Sequence, residues 1–251
     1  MMPTNSINPW TKNSGDFHLD NTSAHIWRVH LPVHESALLK LESYLSHEEL
    51  KRMQNLSFMK DKQNFVASRG ILRFLLGRYL SCKPDELTFS YKKHGKPHIP
   101  ANDISFNVSH SGEYILYVFT KKAAVGIDIE KIRDDSTVQK VIRTFSQQEQ
   151  KTLVSLSHHE QKLAFFRLWT RKEAYLKAIA TGLSYPLALV EVTCLPTEKA
   201  ALLKIEDQHL ITQWQLEDIP LNTPGLNTLY CAAVALEHRR NLIFWDVVLP
   251  F

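Results

Sequence analysis

Apolar residues recur at three- and four-residue steps through Phe65, Leu72, Leu75, Leu76 and Tyr79, so the stretch from Phe58 to Leu80 is expected to be an amphipathic helix. Lys83-Pro84-Asp85 should end it. Ser46-His47-Glu48-Glu49 and Ser146-Gln147-Gln148-Glu149 each set a hydroxyl three residues before a glutamate, the pattern of a capping box that opens a helix. His159 to Ala180 is the longest helix candidate, with Gly182 placed as its C-cap glycine. Short apolar runs read as strands at Ile26–Leu31, Ile104–Val108, Tyr114–Thr120 and Ala124–Ile129. After Pro186 the chain turns β-rich, with strands expected at Ala188–Cys194, Ala201–Glu206, Gln213–Ile219, Thr228–Leu236 and Leu242–Val248. Residues 1–24 read as a loose lead-in, and residues 94–103 as a loop. Helices and short strands mix in both parts of the chain, so the expected class is α+β.

Composition narrows the picture. At 251 residues with 44% apolar content, the chain has ample material for a core. Thirty Lys and Arg against 26 Asp and Glu give a formal charge of +4. That balance suits an anionic ligand or an acidic partner, and it is too mild to argue for nucleic acid. Cys82, Cys194 and Cys231 are far apart and form no CxxC pair, so reduced thiols are expected. The opening Met1-Met2-Pro3-Thr4 lacks a basic segment followed by an apolar run, and no apolar stretch reaches bilayer length. A cytoplasmic protein with no membrane association is expected.

Three stretches carry chemistry. In Val125-Gly126-Ile127-Asp128-Ile129-Glu130, strand alternation puts Asp128 and Glu130 on one face. Adjacent carboxylates repel unless a cation such as Mg²⁺ sits between them, although for the pair alone an ordinary solvated strand face is the better reading. On the second stretch, Phe165, Trp169, Glu173 and Lys177 fall four apart along one helical row. An apolar row that turns charged at its end points to a partly buried cleft rather than a surface ion pair. The third is Gly95-Lys96-Pro97-His98 followed by Phe106-Asn107-Val108-Ser109-His110-Ser111. A lysine on a stiffened loop can hold a phosphate as a point charge, and Ser109 and His110 can donate to phosphate oxygens.

Together and in this order, the stretches resemble the 4′-phosphopantetheinyl transferases of the surfactin-synthetase-activating type. The G-K-P loop, the F-N-V-S-H-S segment, the G-I-D-I-E strand and the W-x-x-K-E-x-x-x-K helix all match, within residues 94–182. The resemblance implies two similar α/β halves related by a pseudo-twofold axis, residues 1–123 and 124–251, with the metal-site motifs in the second. It implies transfer of the phosphopantetheine arm of coenzyme A to a serine of an apo acyl or peptidyl carrier protein, with release of 3′,5′-adenosine bisphosphate. Asp128, Glu130 and Glu173 would hold Mg²⁺, and Glu173 or a water it orients would take the serine proton. Lys177 would face the pyrophosphate, and Asp128, Lys96, Ser109 and His110 would line the coenzyme A site. Arg52 and Arg69 are the candidates for its 3′-phosphate. A monomer is expected from the internal duplication.

Lys131–Phe145 joins Lys131, Arg133, Lys140 and Arg143 to Val138, Val141, Ile142 and Phe145, a basic and apolar combination that suits either an acidic carrier or, equally, a helix packed on the core with solvated charges, with Asp134 and Asp135 weakening the positive rim. Two other readings compete: a non-catalytic module of the same fold that binds coenzyme A or a carrier, and an unrelated metal-dependent phosphodiesterase. The first would be marked by a lost carboxylate or a lost helical lysine, and the second would have no use for the Lys96 and Ser109-His110 segments.

Overall fold

A computed structural model describes residues 8–12, 17–134, 138–195, 197–221 and 230–251. The first half begins with β1 (Trp10–Lys12) and β2 (Ser23–His30), followed by α1 (Glu35–Glu42), α2 (His47–Gln54) and α3 (Met59–Leu80). A short hairpin, β3 (Ser90–Tyr91) with β4 (Pro97–His98), leads into β5 (Ile104–Ser111) and β6 (Tyr114–Lys121). The second half opens with β7 (Val125–Lys131) and continues through α4 (Val138–Ile142), α5 (Gln147–Val154) and α6 (His158–Ala178). It closes with β8 (Glu191–Val192), β9 (Leu202–Lys204), β10 (Trp214–Asp218), β11 (Tyr230–Glu237) and β12 (Asn241–Asp246).

Strand alternation builds the layers. In β6, Ile115, Tyr117 and Phe119 face α3, where they meet Val66, Ile71, Leu72 and Leu75. Tyr114, Leu116 and Val118 turn the other way, onto Val125, Ile127 and Ile129 of β7 and Ala232, Val234 and Leu236 of β11. The remaining face of β11, Cys231, Ala233 and Ala235, packs under α6. The result is helix on sheet on sheet on helix, with the two sheets back to back. Their orders are β1-β12-β2-β6-β5 and β10-β11-β7. The last strand crosses between halves: β12 lies between β1 and β2 and runs parallel to both.

The two halves repeat one helical device. Ser46 and Ser146 both close capping boxes, with Glu49 and Glu149 at the third position of α2 and α5. Each glutamate then reaches a buried cation on the long helix behind it, Arg73 at 2.6 Å and Lys172 at 2.7 Å. Each cation also donates to two carbonyls of the segment that follows its helix, Pro84 and Leu87 for Arg73, Leu187 and Val190 for Lys172.

Most expected elements fall within a few residues of their observed bounds. The strand expected from Thr228 is described only from Tyr230 onward. Two points differ. Gly182 is not the C-cap of the long helix: α6 stops at Ala178, Ala180 takes the left-handed turn at φ 58°, and Gly182 opens a separate short 3₁₀ turn. Helix α1 was not anticipated, because its eight residues are too short a stretch to show a period.

Candidate active site

Strand β7 pairs with β11 along one edge only. Along its other edge lies β5, the last strand of the first sheet, and side chains bridge the gap. Ile127 N donates to Asn107 Oδ1 at 2.9 Å, Ile129 N to Ser109 Oγ at 3.4 Å and Lys131 N to Ser111 Oγ at 3.0 Å. The polar alternation of the F-N-V-S-H-S segment thus meets the free N–H groups of the next strand. The Ser109 hydroxyl in turn donates to Asp128 Oδ1 at 2.8 Å.

Gly126, Asp128 and Glu130 turn away from the central core toward α6. The helix reaches the strand closely because Gly126 has no side chain, and a Cβ there would come under 3.0 Å from Ala174 O and Ala178 N. That approach carries Glu173 and Lys177 to the carboxylates. Lys177 Nζ donates to Asp128 Oδ1 at 2.6 Å and to Ser109 Oγ at 3.0 Å. Along the row read in the sequence, Phe165 is buried and stacks on a half-buried Trp169. Glu173 is 8% exposed and the Lys177 side chain 27%, so the charged end does enter a half-open cleft.

The electrostatics of this cleft are unbalanced. Burial, and then the Asp128 carboxylate, push Glu173 up to about 7. Burial raises Glu130 as well, with Asp128 again adding to it. Asp128 is raised by burial against the pull of Lys177. Asp128 Oδ2 and Glu173 Oε1 are buried and make no hydrogen bond among the described residues. Among those residues, no three His, Cys, Asp or Glu side chains already stand at metal-holding spacing. A divalent cation that takes one or two carboxylates and completes its shell with phosphate and water oxygens fits this arrangement, because two orphaned carboxylate oxygens wait for a partner.

Two profile models divide the chain between them. That of the 4′-phosphopantetheinyl transferase superfamily matches residues 124–235, and that of the 4′-phosphopantetheinyl transferase N-terminal region matches residues 31–122. The chain is 36% identical over 231 residues to the 4′-phosphopantetheinyl transferase HetI of Nostoc sp., covering 90% of this chain and 93% of that protein. It belongs to the 4′-phosphopantetheinyl transferases. Sfp of Bacillus subtilis, another 4′-phosphopantetheinyl transferase, is 28% identical over 203 residues, covering 80% of this chain and 88% of its own. The protein is therefore a transferase that moves phosphopantetheine from coenzyme A to carrier proteins.

The other expected site residues fall in different places around this transferase's cleft. His110 is exposed near the end of β5, and partial loss of solvent around its ring, followed by the Lys177 charge, holds its imidazole below the usual value. Lys96 turns away from solvent: its ammonium donates to Val125 O at 2.6 Å, Lys177 O at 2.7 Å and Ala178 O at 3.3 Å. It is a cap on the end of α6 rather than a free point charge, and it ties the first half to the second. Arg69 and Arg52 belong to a separate group around Glu49. Arg69 Nε sits 3.3 Å from Glu49 Oε1, while its buried Nη1 makes no hydrogen bond among the described residues. Arg52 is exposed and lines a pocket of about 450 Å³ with Arg73, Phe89 and Tyr91.

The expected carrier-gripping side chains are spent elsewhere. Ile142 and Phe145 are buried in the second core, with Val138 and Val141 packed against it. Arg133, Lys140 and Arg143 remain exposed as a basic rim. Asp134 is engaged by Lys162 at 2.9 Å, and Asp135 lies outside the described residues. Sequence reading missed Asn107 and Ser111 as parts of the site. The signal was present in the strict alternation of polar residues at 107, 109 and 111 within a strand.

Proposed function

We propose that Asp128, Glu130 and Glu173 hold a Mg²⁺ ion in this transferase and that Lys177 and His110 contact the pyrophosphate of coenzyme A. The observation that carries this reading is the pairing of two orphaned, buried carboxylate oxygens with a lysine that is only partly covered. Bound Mg²⁺ would neutralise charge that develops on the pyrophosphate oxygens as the arm transfers. Glu173, or a water it orients, accepts the proton of the carrier serine. Lys177 supports the leaving phosphate of 3′,5′-adenosine bisphosphate with its ammonium. The orphaned Nη1 of Arg69, with Arg52 nearby on α2, supports a seat for the 3′-phosphate.

The acceptor is an apo acyl or peptidyl carrier protein, steered by the exposed Arg133, Lys140 and Arg143. In this reading the halves are residues 1–123 and 124–251, and the chain acts as a cytoplasmic monomer. No helix among the described residues is long and apolar enough to cross a membrane.

The test is an intact-mass assay with coenzyme A, a panel of apo carrier proteins, and Mg²⁺ present or chelated. A carrier that gains one phosphopantetheine arm only with Mg²⁺ supports the full reading. Transfer that survives chelation overturns the metal assignment. Coenzyme A binding with no transfer to any carrier favours a non-catalytic binding module.

A further inference from the structure

The bonds between β5 and β7 follow one rule. Each links residue i to residue i+20: Asn107 to Ile127, Ser109 to Ile129 and Ser111 to Lys131. A constant offset means that the two strands step together, with side chains on β5 taking the place of backbone carbonyls. A second series runs at i+19. Ser109 Oγ donates to Asp128 Oδ1 at 2.8 Å, and Ser111 Oγ donates to Glu130 Oε2 at 2.9 Å. The same offset from Asn107 leads to Gly126, which has no side chain to bond, and there α6 closes on the strand.

Each serine therefore accepts from the backbone of β7 and donates to the carboxylate one residue before, and Ser109 accepts from Lys177 as well. A carboxylate has two oxygens, and the donated bond occupies one of them. At Asp128 the occupied atom is Oδ1, and the orphan is Oδ2. At Glu130 the occupied atom is Oε2. Because the serines are anchored to the backbone, they fix the rotation of each carboxylate and so determine which oxygen is offered.

We propose that Asn107, Ser109 and Ser111 form a positioning ladder between the halves, and that Ser111 orients Glu130 for the metal as Ser109 orients Asp128. Asn107 sets the register of the ladder. Ser111 is the informative member, since it contacts Glu130 and the backbone of β7. The inference rests on the metal reading above.

The test compares Ser111→Val with Ser111→Thr. The two replacements share a shape and suit a strand, and they differ only in the hydroxyl. Mn²⁺ is titrated into each protein with coenzyme A present, and the loss of the free-ion electron paramagnetic signal reports binding, with a coenzyme A blank. Ser111→Val should bind Mn²⁺ roughly tenfold more weakly, as expected for one lost hydrogen bond to a charged group. Ser111→Thr should stay near the wild type, and the KM for coenzyme A should stay within about twofold in both, since Ser111 bonds Glu130 and the β7 backbone and is not placed against coenzyme A. If Val cannot be seated, Ser111→Ala serves as the hydroxyl-free variant and is read in the same way. Wild-type Mn²⁺ affinity in the hydroxyl-free variant overturns the ladder alone. Weakening in both Val and Thr variants overturns the role of the hydroxyl. A wild-type protein that binds no Mn²⁺ overturns the metal assignment itself.

Discussion

Lys172 and Glu149 form a buried ion pair, Nζ to Oε2 at 2.7 Å, at the place in the second half that Arg73 and Glu49 occupy in the first. Glu149 also accepts from Ser146 N and Val192 N, so it holds the start of α5, the middle of α6 and the strand beyond them. Burial pushes the Lys172 ammonium below its ordinary value, while Glu149 opposes that shift. Lys172 is the first lysine of the W-x-x-K-E-x-x-x-K helix, and its contacts are structural. Removing one partner strands a buried charge and breaks the capping box, so Glu149→Ala should destabilise the protein by about 3–5 kcal/mol. Urea unfolding would measure this. A loss below about 1 kcal/mol would show that the pair is dispensable.

Asp128 should behave in the opposite way. Asp128→Asn keeps the shape and the contact with Ser109 while relieving repulsion within a trio of raised carboxyls. Transfer should be lost and the melting temperature of the metal-free protein should not fall. Normal transfer in Mg²⁺ would remove Asp128 from the site.

Stability should depend on pH through the same trio. A carboxyl with a raised folded value binds its proton more tightly in the folded state. Its contribution is complete below the unfolded value and is lost as pH rises through the folded one. For Glu173 that window runs from about 4.5 to about 7. The metal-free wild type, compared with Glu173→Gln, should therefore lose melting temperature between pH 5 and pH 8, and Mg²⁺ should restore it at pH 8. Parallel curves for the two proteins without metal would contradict the shift.

Gly126 marks where the helix meets the strand. An added methyl would press on backbone atoms of α6, at Ala174 and Ala178, which have no side-chain freedom to yield. Gly126→Ala should cost about 3 kcal/mol and displace Lys177 from Asp128, so that turnover falls along with stability. Full activity at wild-type stability would mean that the helix can shift without consequence.

Much of this site was legible in the sequence because period and chemistry coincide there. Alternation placed Asp128 and Glu130 on one face, and the four-residue row from Phe165 to Lys177 anticipated a helix whose charged end is half covered. What stayed hidden depends on how separate elements meet. The row of α6 includes Lys177 and leaves out Lys172, but it does not say what Lys172 does, because that role is set by Glu149 on another helix. The apolar residues of 138–145 looked available to a partner, since a sequence does not show which neighbour already covers them. Likewise, the bond from Ile129 N to Ser109 depends on the open edge of β7, which a sequence does not show.

Lys96 is the residue whose two readings separate most cleanly. Its ammonium donates to three carbonyls at the junction of β7 and the end of α6, one of them belonging to Lys177 itself. A cation at a helix C-terminus is favoured by the helix dipole, although burial pushes this one down to about 7. Lys96→Met would keep the stem and remove the donors, leaving partly covered carbonyls without partners. The expected result is a loss of about 2 kcal/mol in urea unfolding and a lower kcat, with the KM for coenzyme A within about threefold of wild type. A stable variant whose KM alone rises would make Lys96 a coenzyme A contact after all. The outcome would decide whether the G-K-P loop serves the ligand directly or acts by holding the end of the helix that carries Lys177.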